Sequence, residues 1–263
     1  MSDIKRVEIS PVDESDVPWL ADSSKRAYDN EGYPEHNSQP EEYDSVKGHS
    51  RLLQYNEYYK ITLNDFIIGG VVLAQQGSGQ REIMMLFVDP DYKGQGIGSR
   101  AMDLIIGLHP EVKYWAAGAP EWSDMVNGFL MKQGFRFVGV CFNERNQVTN
   151  WYHKTLNDNF PYTPIGDLQD NMKNLNVKGE ILEKAMARTV RGRRRGETLS
   201  VAEAGFGDGT GRVVLTLWNE QIKHVRVGDH VLVENGYVSS YRGIKQLNVG
   251  RYGRIVKQVP KQA

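Results

Sequence analysis

"VDPDYKGQGIGSRAMDLI", residues 88–105, sets Gly94, Gly96 and Gly98 between an apolar run and a helical pattern. A glycine-rich turn that opens a helix gathers unpaired backbone N–H groups at the positive end of the helix dipole. Glycine also lets a phosphate approach without meeting a Cβ. The Gly-Lys-Ser/Thr ending of a Walker loop is missing, and no βαβ unit with a following acidic residue supports a dinucleotide fingerprint. As a bare pattern, a helix-start turn with no ligand fits equally well.

Outward from this stretch, "EIMMLFV" before it reads as a strand, and a helix runs from about Gly98 to Leu108. Upstream lie a strand in "IKRVEISPV", a capped helix from Asp16 and a polar stretch broken by Gly32, Pro34 and Pro40. "EYYKITLND" and "FIIGGVVLAQQ" read as strands joined at Asn64-Asp65, a hairpin signal. Downstream come a strand "VKYWAAG", a helix "WSDMVNGFLMKQ" ended by Gly134, and strands "FRFVGVCF" and "VTNWYHKTL". Strands with intercalated helices predict an α/β or α+β layered domain over 1–156 with a central mixed sheet. Residues 157–167, "NDNFPYTPIGD", read as a flexible linker. Over 168–263, short strands separated by turn signals predict an all-β barrel.

The chain of 263 residues suits two domains, and 40% apolar with 25% charged residues suits a soluble globular protein. No apolar run of membrane-spanning length occurs, and the N-terminus lacks a signal-peptide core, so a cytoplasmic protein without membrane partners is expected. Cys141 alone excludes an internal disulfide, and no metal is expected. Residues 1–156 carry 15 Lys and Arg against 22 Asp and Glu, a balance of −7, whereas residues 157–263 carry 17 against 11, or +6. Such asymmetry suits a polyanion meeting the second half only, although ordinary surface variation accounts for it as well.

The strand, the stretch "VDPDYKGQGIGSRAM" and, about thirty residues on, "NGFLMKQGFRFVGV" together resemble the GCN5-related N-acetyltransferase (GNAT) family over residues 4–156. The family loop is Gln/Arg-x-x-Gly-x-Gly/Ala; here it reads Lys93-Gly94-Gln95-Gly96-Ile97-Gly98. By that resemblance the cofactor is acetyl-CoA, with its pyrophosphate on the backbone of Gln95, Gly96, Ile97, Gly98 and Ser99. Leu86, Phe87 and Val88 would pair with the pantetheine arm, and the Leu86 N–H would face the thioester oxygen. Glu82 stands where some protein-lysine acetyltransferases carry their general base; a strand-end glutamate facing water is the alternative. Many members have tyrosine in "FYxKxGF", but this chain has Leu130, which cannot donate a proton to the leaving thiolate. Tyr33, Glu35 and His36 fall in the substrate-facing loop region, where ordinary loop surface is the default, and Tyr152 and His153 read as strand residues.

In the second half, Trp218, Tyr237 and Tyr241 end or follow apolar strands, with Arg242, Lys245, Arg251 and Arg254 nearby. Exposed rings ringed by cations make a stacking platform for unpaired bases, whereas buried rings would merely fill a barrel. "GDGTGRVVLTLW", "ENGYVSSYRG" and "QLNVGR" resemble the OB-fold of archaeal single-stranded DNA-binding and replication protein A-like proteins over residues 165–258. That resemblance assigns base stacking to Trp218, Tyr237 and Tyr241. "ARTVRGRRRGET", residues 187–198, reads as a loop whose Arg191, Arg193, Arg194 and Arg195 contact phosphates. The two resemblances imply an acetyl-CoA-dependent N-acetyltransferase recruited to single-stranded DNA or RNA, a nucleoid-associated protein that acetylates protein or small amines. The alternatives are a nucleic-acid-binding protein whose transferase half has lost its chemistry, and a transferase acting on the nucleic acid itself.

Overall fold

The structure is a computed structural model that describes residues 6–76, 79–143, 145–156, 160–192 and 197–259, with the backbone alone at Arg251 and Tyr252. The elements are β1 (Val7–Pro11), α1 (Val17–Asn30), α2 (Val46–Tyr55), β2 (Glu57–Leu63), β3 (Phe66–Gln75), β4 (Gln80–Val88), α3 (Ile97–Leu108), β5 (Tyr114–Pro120), α4 (Asp124–Lys132), β6 (Arg136–Phe142) and β7 (Val148–Thr155). There follow β8 (Leu175–Lys184), β9 (Arg188–Arg191), β10 (Thr198–Asp208), β11 (Gly211–Trp218), α5 (Gln221–His224), β12 (His230–Tyr241) and β13 (Ile244–Lys257). The chain forms two compact units. One holds Met1–Gly118, Gly128–Phe135 and Lys154–Leu156; the other holds Ala119–Asn127, Arg136–His153 and Asn157–Ala263.

In the first unit the sheet order is β1-β2-β3-β4-β5, antiparallel except for the parallel β4–β5 pair, so the sheet is mixed as expected. The β2–β3 hairpin turns on Asn64 and Asp65 at φ 48° and 67°, the left-handed pair a two-residue turn requires. Asp13 accepts from the Ser15 N–H at 2.9 Å and Asp16 accepts from the Asp13 N–H at 3.0 Å, a reciprocal cap that starts the first helical segment. Leu20 of α1 is fully buried, as are Ile61, Leu73, Met102, Ile105 and Trp115.

Helix α2 has no counterpart in the sequence reading, where its Gly48 and His49 weaken the helical pattern. The structure gives the reason for Gly48: a Cβ there would stand 2.3 Å from Glu42 Cβ. Ser45 caps this helix by accepting from the Gly48 N–H at 3.1 Å.

The second unit contains the β6–β7 hairpin and a five-stranded barrel. The barrel closes in the order β8-β10-β11-β13-β12 and back to β8, with only β11–β13 parallel. Val177, Ile181, Phe206, Leu215 and Leu247 fill its interior. The segment expected to be a flexible linker is packed from Phe160 onward. Ile165 and Leu168 are buried in the barrel core, and Phe160 stacks on His153 at 4.9 Å. Two prolines and polar residues suggested a spacer, but apolar side chains at 160, 165 and 168 decide its placement. The "RTVR" part of the expected arginine loop, Arg188–Arg191, is strand β9, paired with β10.

Strand β13 also pairs with β6 at Lys257 and Val140. Beside that contact, Glu234 of β12 is 2% exposed. Its carboxylate accepts from Trp151 Nε1 at 2.9 Å and bonds His153 Nε2, both on β7. Arg254 lies over the Trp151 ring at 3.9 Å. A buried carboxylate is tolerated only with such partners. We expect Glu234→Ala to lower unfolding stability by about 3 kcal/mol, because two buried donors lose their acceptor. Urea denaturation checks this, and Glu234→Gln, which keeps one acceptor, should lose less.

Candidate functional site

Strand β4 pairs with β3 along its whole length, from Gly69–Val88 to Gln75–Arg81. On its other edge it pairs with β5 only over Gln80–Ile83 against Tyr114–Ala117. The register slips at Met84, an extra residue opposite β3, and such a bulge adds twist that turns the strand away. Among the described residues, no β5 residue pairs with Met84–Val88, so this strand edge is open to an extended ligand. Leu86, Phe87 and Val88, the expected cofactor strand, lie here.

The edge leads directly into the glycine turn. Asp89 accepts from the Asp91 N–H at 3.0 Å, and Arg26 of α1 bonds Asp89 and Asp91 at 2.8 Å each. Lys93 is held by Glu31 at 2.5 Å, which directs its ammonium to α1. Gly94 and Gly96 have φ of 75° and 74° with open space around their Cβ positions, so conformation alone requires glycine there. Gly96 caps α3, and no side chain caps the helix, which leaves its first amides to an outside acceptor. Gly98 faces Phe129 and Leu86, whose atoms would lie 3.6 and 3.8 Å from a Cβ. Ser99 accepts from the Gln133 amide at 2.8 Å. The expected residues Leu86 to Ser99 therefore form one continuous line of strand edge and helix tip.

Glu82 is 7% exposed, so it is no solvent-facing strand end. Its row is Ala74–Glu82–Ala116, and its carboxylate accepts from the Gln76 side-chain amide. Leu130 is buried on α4. Tyr33 is also buried, edge-on to Tyr28 at 4.9 Å, while Glu35 and His36 are exposed. Tyr152 and His153 have structural partners, Asn127 Oδ1 at 2.6 Å and Glu234.

The sequence reading missed His49. It is fully buried, with Nε2 2.9 Å from the Tyr43 carbonyl and Nδ1 2.7 Å from the Tyr58 hydroxyl. The carbonyl requires N–H on Nε2, and in the neutral ring that burial favours Tyr58 donates to Nδ1. Burial holds the His49 pKa below its usual value and pushes that of Tyr58 up.

On the barrel, Trp218, Tyr237 and Tyr241 are 37%, 39% and 52% exposed, so they do not fill the core. Tyr237 pairs with Asn248 and Asn248 with Thr216, one row across three strands. Trp218 follows Thr216 by two positions and shares its face, as Tyr241 does with Tyr237. Trp218 continues through Val201 to Arg188 on β9. Thr216 and Asn248 escaped the sequence reading; period-two spacing from Trp218 would have found Thr216, whereas Asn248 is placed only by the cross-strand register. Arg242 lies 5.3 Å from the Tyr241 ring centre, and Arg191 is exposed on β9. Two expected cations differ: Lys245 donates to the Leu168 carbonyl, and Arg254 stacks on Trp151. Arg193, Arg194 and Arg195 lie outside the described residues, as does the Arg251 side chain.

Residues 20–135 match the family model described as acetyltransferase (GNAT) family, and residues 168–257 match that of single-stranded DNA binding protein Ssb-like, OB fold. Over 93 residues, 35% of this chain, the sequence is 37% identical to the single-stranded DNA binding protein Ssb of Saccharolobus solfataricus; the match spans 62% of that relative's length. A crystal structure of an acetyltransferase from Thermus thermophilus is 18% identical at a TM-score of 0.48, covering 57% of this chain and 97% of that one. The replication factor A related protein from Methanobacterium thermoautotrophicum is 20% identical at a TM-score of 0.34, covering 39% of this chain and 96% of that one. No described helix is long and apolar enough to cross a membrane.

The His49 site has a measurable consequence. A neutral buried imidazole contributes stability that is present above about pH 6.5 and is lost as pH falls through its lowered folded value. The urea midpoint of the wild type should therefore drop between pH 7.5 and pH 5.0, and His49→Gln should flatten that dependence.

Proposed function

We propose that this chain, which joins a GNAT acetyltransferase domain to an Ssb-like OB fold, is an acetyl-CoA-dependent N-acetyltransferase held on single-stranded DNA or RNA by its barrel. Its acceptors are amines of proteins bound to the same nucleic acid. The observation that carries the transferase half is the open β4 edge running into an uncapped helix tip. The pantetheine arm completes the sheet as an added strand, and the pyrophosphate accepts from the first amides of α3. The acetyl group then lies in the gap between β4 and β5.

The amine nitrogen attacks the thioester carbon, and the oxygen that gains charge accepts from the Leu86 N–H. Glu82 takes the proton the amine loses. The C–S bond breaks as the carbonyl reforms, releasing the coenzyme A thiolate. With leucine at 130, no side chain at that position protonates it. A thiol of pKa about 8.5 leaves as thiolate at small cost near neutral pH, with water as the final proton source. Leu130 also favours a second reading, in which this domain binds acetyl-CoA without turning it over; release of thiol in the presence of amines separates the two.

The barrel reading rests on three exposed rings on one face with cations beside them. Recruitment raises the effective concentration of acceptors, so the catalytic gap need not bind them tightly.

Gly96→Ala forces a left-handed alanine that costs about 1–2 kcal/mol. Calorimetry should show coenzyme A binding weakened about tenfold with oligonucleotide binding intact. Gly107→Ala, with open space in the last turn of α3, should bind coenzyme A normally. Trp218→Ala should weaken poly-dT binding by about 5- to 150-fold. It should also slow acetylation of a lysine-rich protein bound to that oligonucleotide to the rate without DNA; an unaltered rate removes recruitment from this account.

A further inference from the structure

We infer that Gln76 is a positioning residue that keeps Glu82 ionised and aimed; this rests on the reading of Glu82 as general base. Gln76 and Glu82 are 4% and 7% exposed, and the Gln76 Nε2–H donates to Glu82 Oε2. Ala74 stands directly opposite Glu82, and Gln76, two residues on, is its diagonal neighbour on the same face of the sheet. The cross-strand position is thus occupied by a methyl group, and the diagonal one by an amide. The Gln76 backbone closes the same hairpin, its N–H reaching the Gln80 carbonyl at 3.4 Å. Ala116, opposite Glu82 on β5, is also small, and the gap between β4 and β5 begins two residues beyond Glu82, at Met84.

An amide N–H on a carboxylate oxygen favours the charged form, whereas burial disfavours it. A base must be ionised before it can accept a proton, so a buried one needs a donor that offsets desolvation. In this unit, the register puts Tyr58 of β2 and Tyr114 of β5 on Glu82's face, and Tyr28 and His49 of the helices pack around Phe87 on that face. None of these is a cation when His49 is neutral. The nearest arginine along β4, Arg81, has the opposite orientation and pairs with Glu57 at 2.8 Å, where His109 also lies. The Gln76 amide is thus a donor that the hairpin itself builds for this carboxylate.

The test is a 13C NMR titration of the Glu82 side-chain carboxyl, assigned as the signal missing in Glu82→Gln. In Gln76→Leu the midpoint should rise by about one pH unit. In the near-isosteric Gln76→Glu, two adjacent carboxylates should raise it further, and this variant preserves the packing. An unchanged midpoint in both variants overturns the inference. The pH–rate profile for acetylation of a polylysine peptide should shift its acid limb by the same amount, since the amine's own pKa is common to all variants. A shifted midpoint with an unmoved limb also overturns it. Should the peptide accept no acetyl group, the NMR midpoint alone decides. Full transfer by Glu82→Gln would instead remove Glu82 as the base while leaving the Gln76 contact measured, so the two failures are distinguishable.

Discussion

Past Ile83, strand β4 has, among the described residues, a hydrogen-bonded neighbour on one edge only, and the proposed cofactor site depends on that opening. Backbone groups inside a sheet must find partners. An extended ligand can supply them without any side chain changing conformation. The bulge at Met84 creates the opening, and the Asp89–Arg26–Asp91 ion cluster fixes how the chain leaves it. Gly94 and Gly96 then turn the backbone so that the next amides belong to an uncapped helix. The proposed pyrophosphate site is thereby local. Residues 1–156 carry a net charge of −7, so the long-range field there opposes an anion. At the proposed site, nearby amide dipoles would have to outweigh that field.

The second unit uses the opposite strategy. Its residues are positive as a group, and its candidate interface consists of side chains on an outward face rather than backbone groups at an edge. A closed barrel has no free edge to offer. What holds the β6–β7 hairpin to that barrel is a buried carboxylate, Glu234, with two donors from one strand. Strand β12 carries both Glu234 and, a few residues on, Tyr237 and Tyr241, separated by the irregularity at Asn235 and Gly236. Gly253 allows that irregularity, since a Cβ there would stand 2.6 Å from the Glu234 carbonyl oxygen.

Glu82 and Leu86 emerge from opposite faces of β4, Glu82 toward α1 and Leu86 toward Gly98 of α3. In the proposed reaction, a base and a cofactor strand that approach one gap from two sides would leave the acceptor its own entrance.

The sequence by itself determined the order of the main strands and of every long helix except α2, the Asn64–Asp65 turn, the glycine turn and the barrel strands. Each is a local matter of period, turn chemistry or positive φ, which neighbouring residues settle among themselves. Only the tertiary structure decided the rest. Helix α2 is hidden in sequence because Gly48 answers to Glu42 rather than to its own helix. Phe160 and Ile165 look like a spacer until His153 of β7 stacks on the first and the barrel core buries the second. Lys245 and Arg254 look like cations beside the stacking rings until the Leu168 carbonyl and the Trp151 ring engage them. Gln76 and His49 acquire meaning only from partners brought close by pairing and packing. Burial and partnership depend on which surfaces meet, and one-dimensional spacing does not encode that.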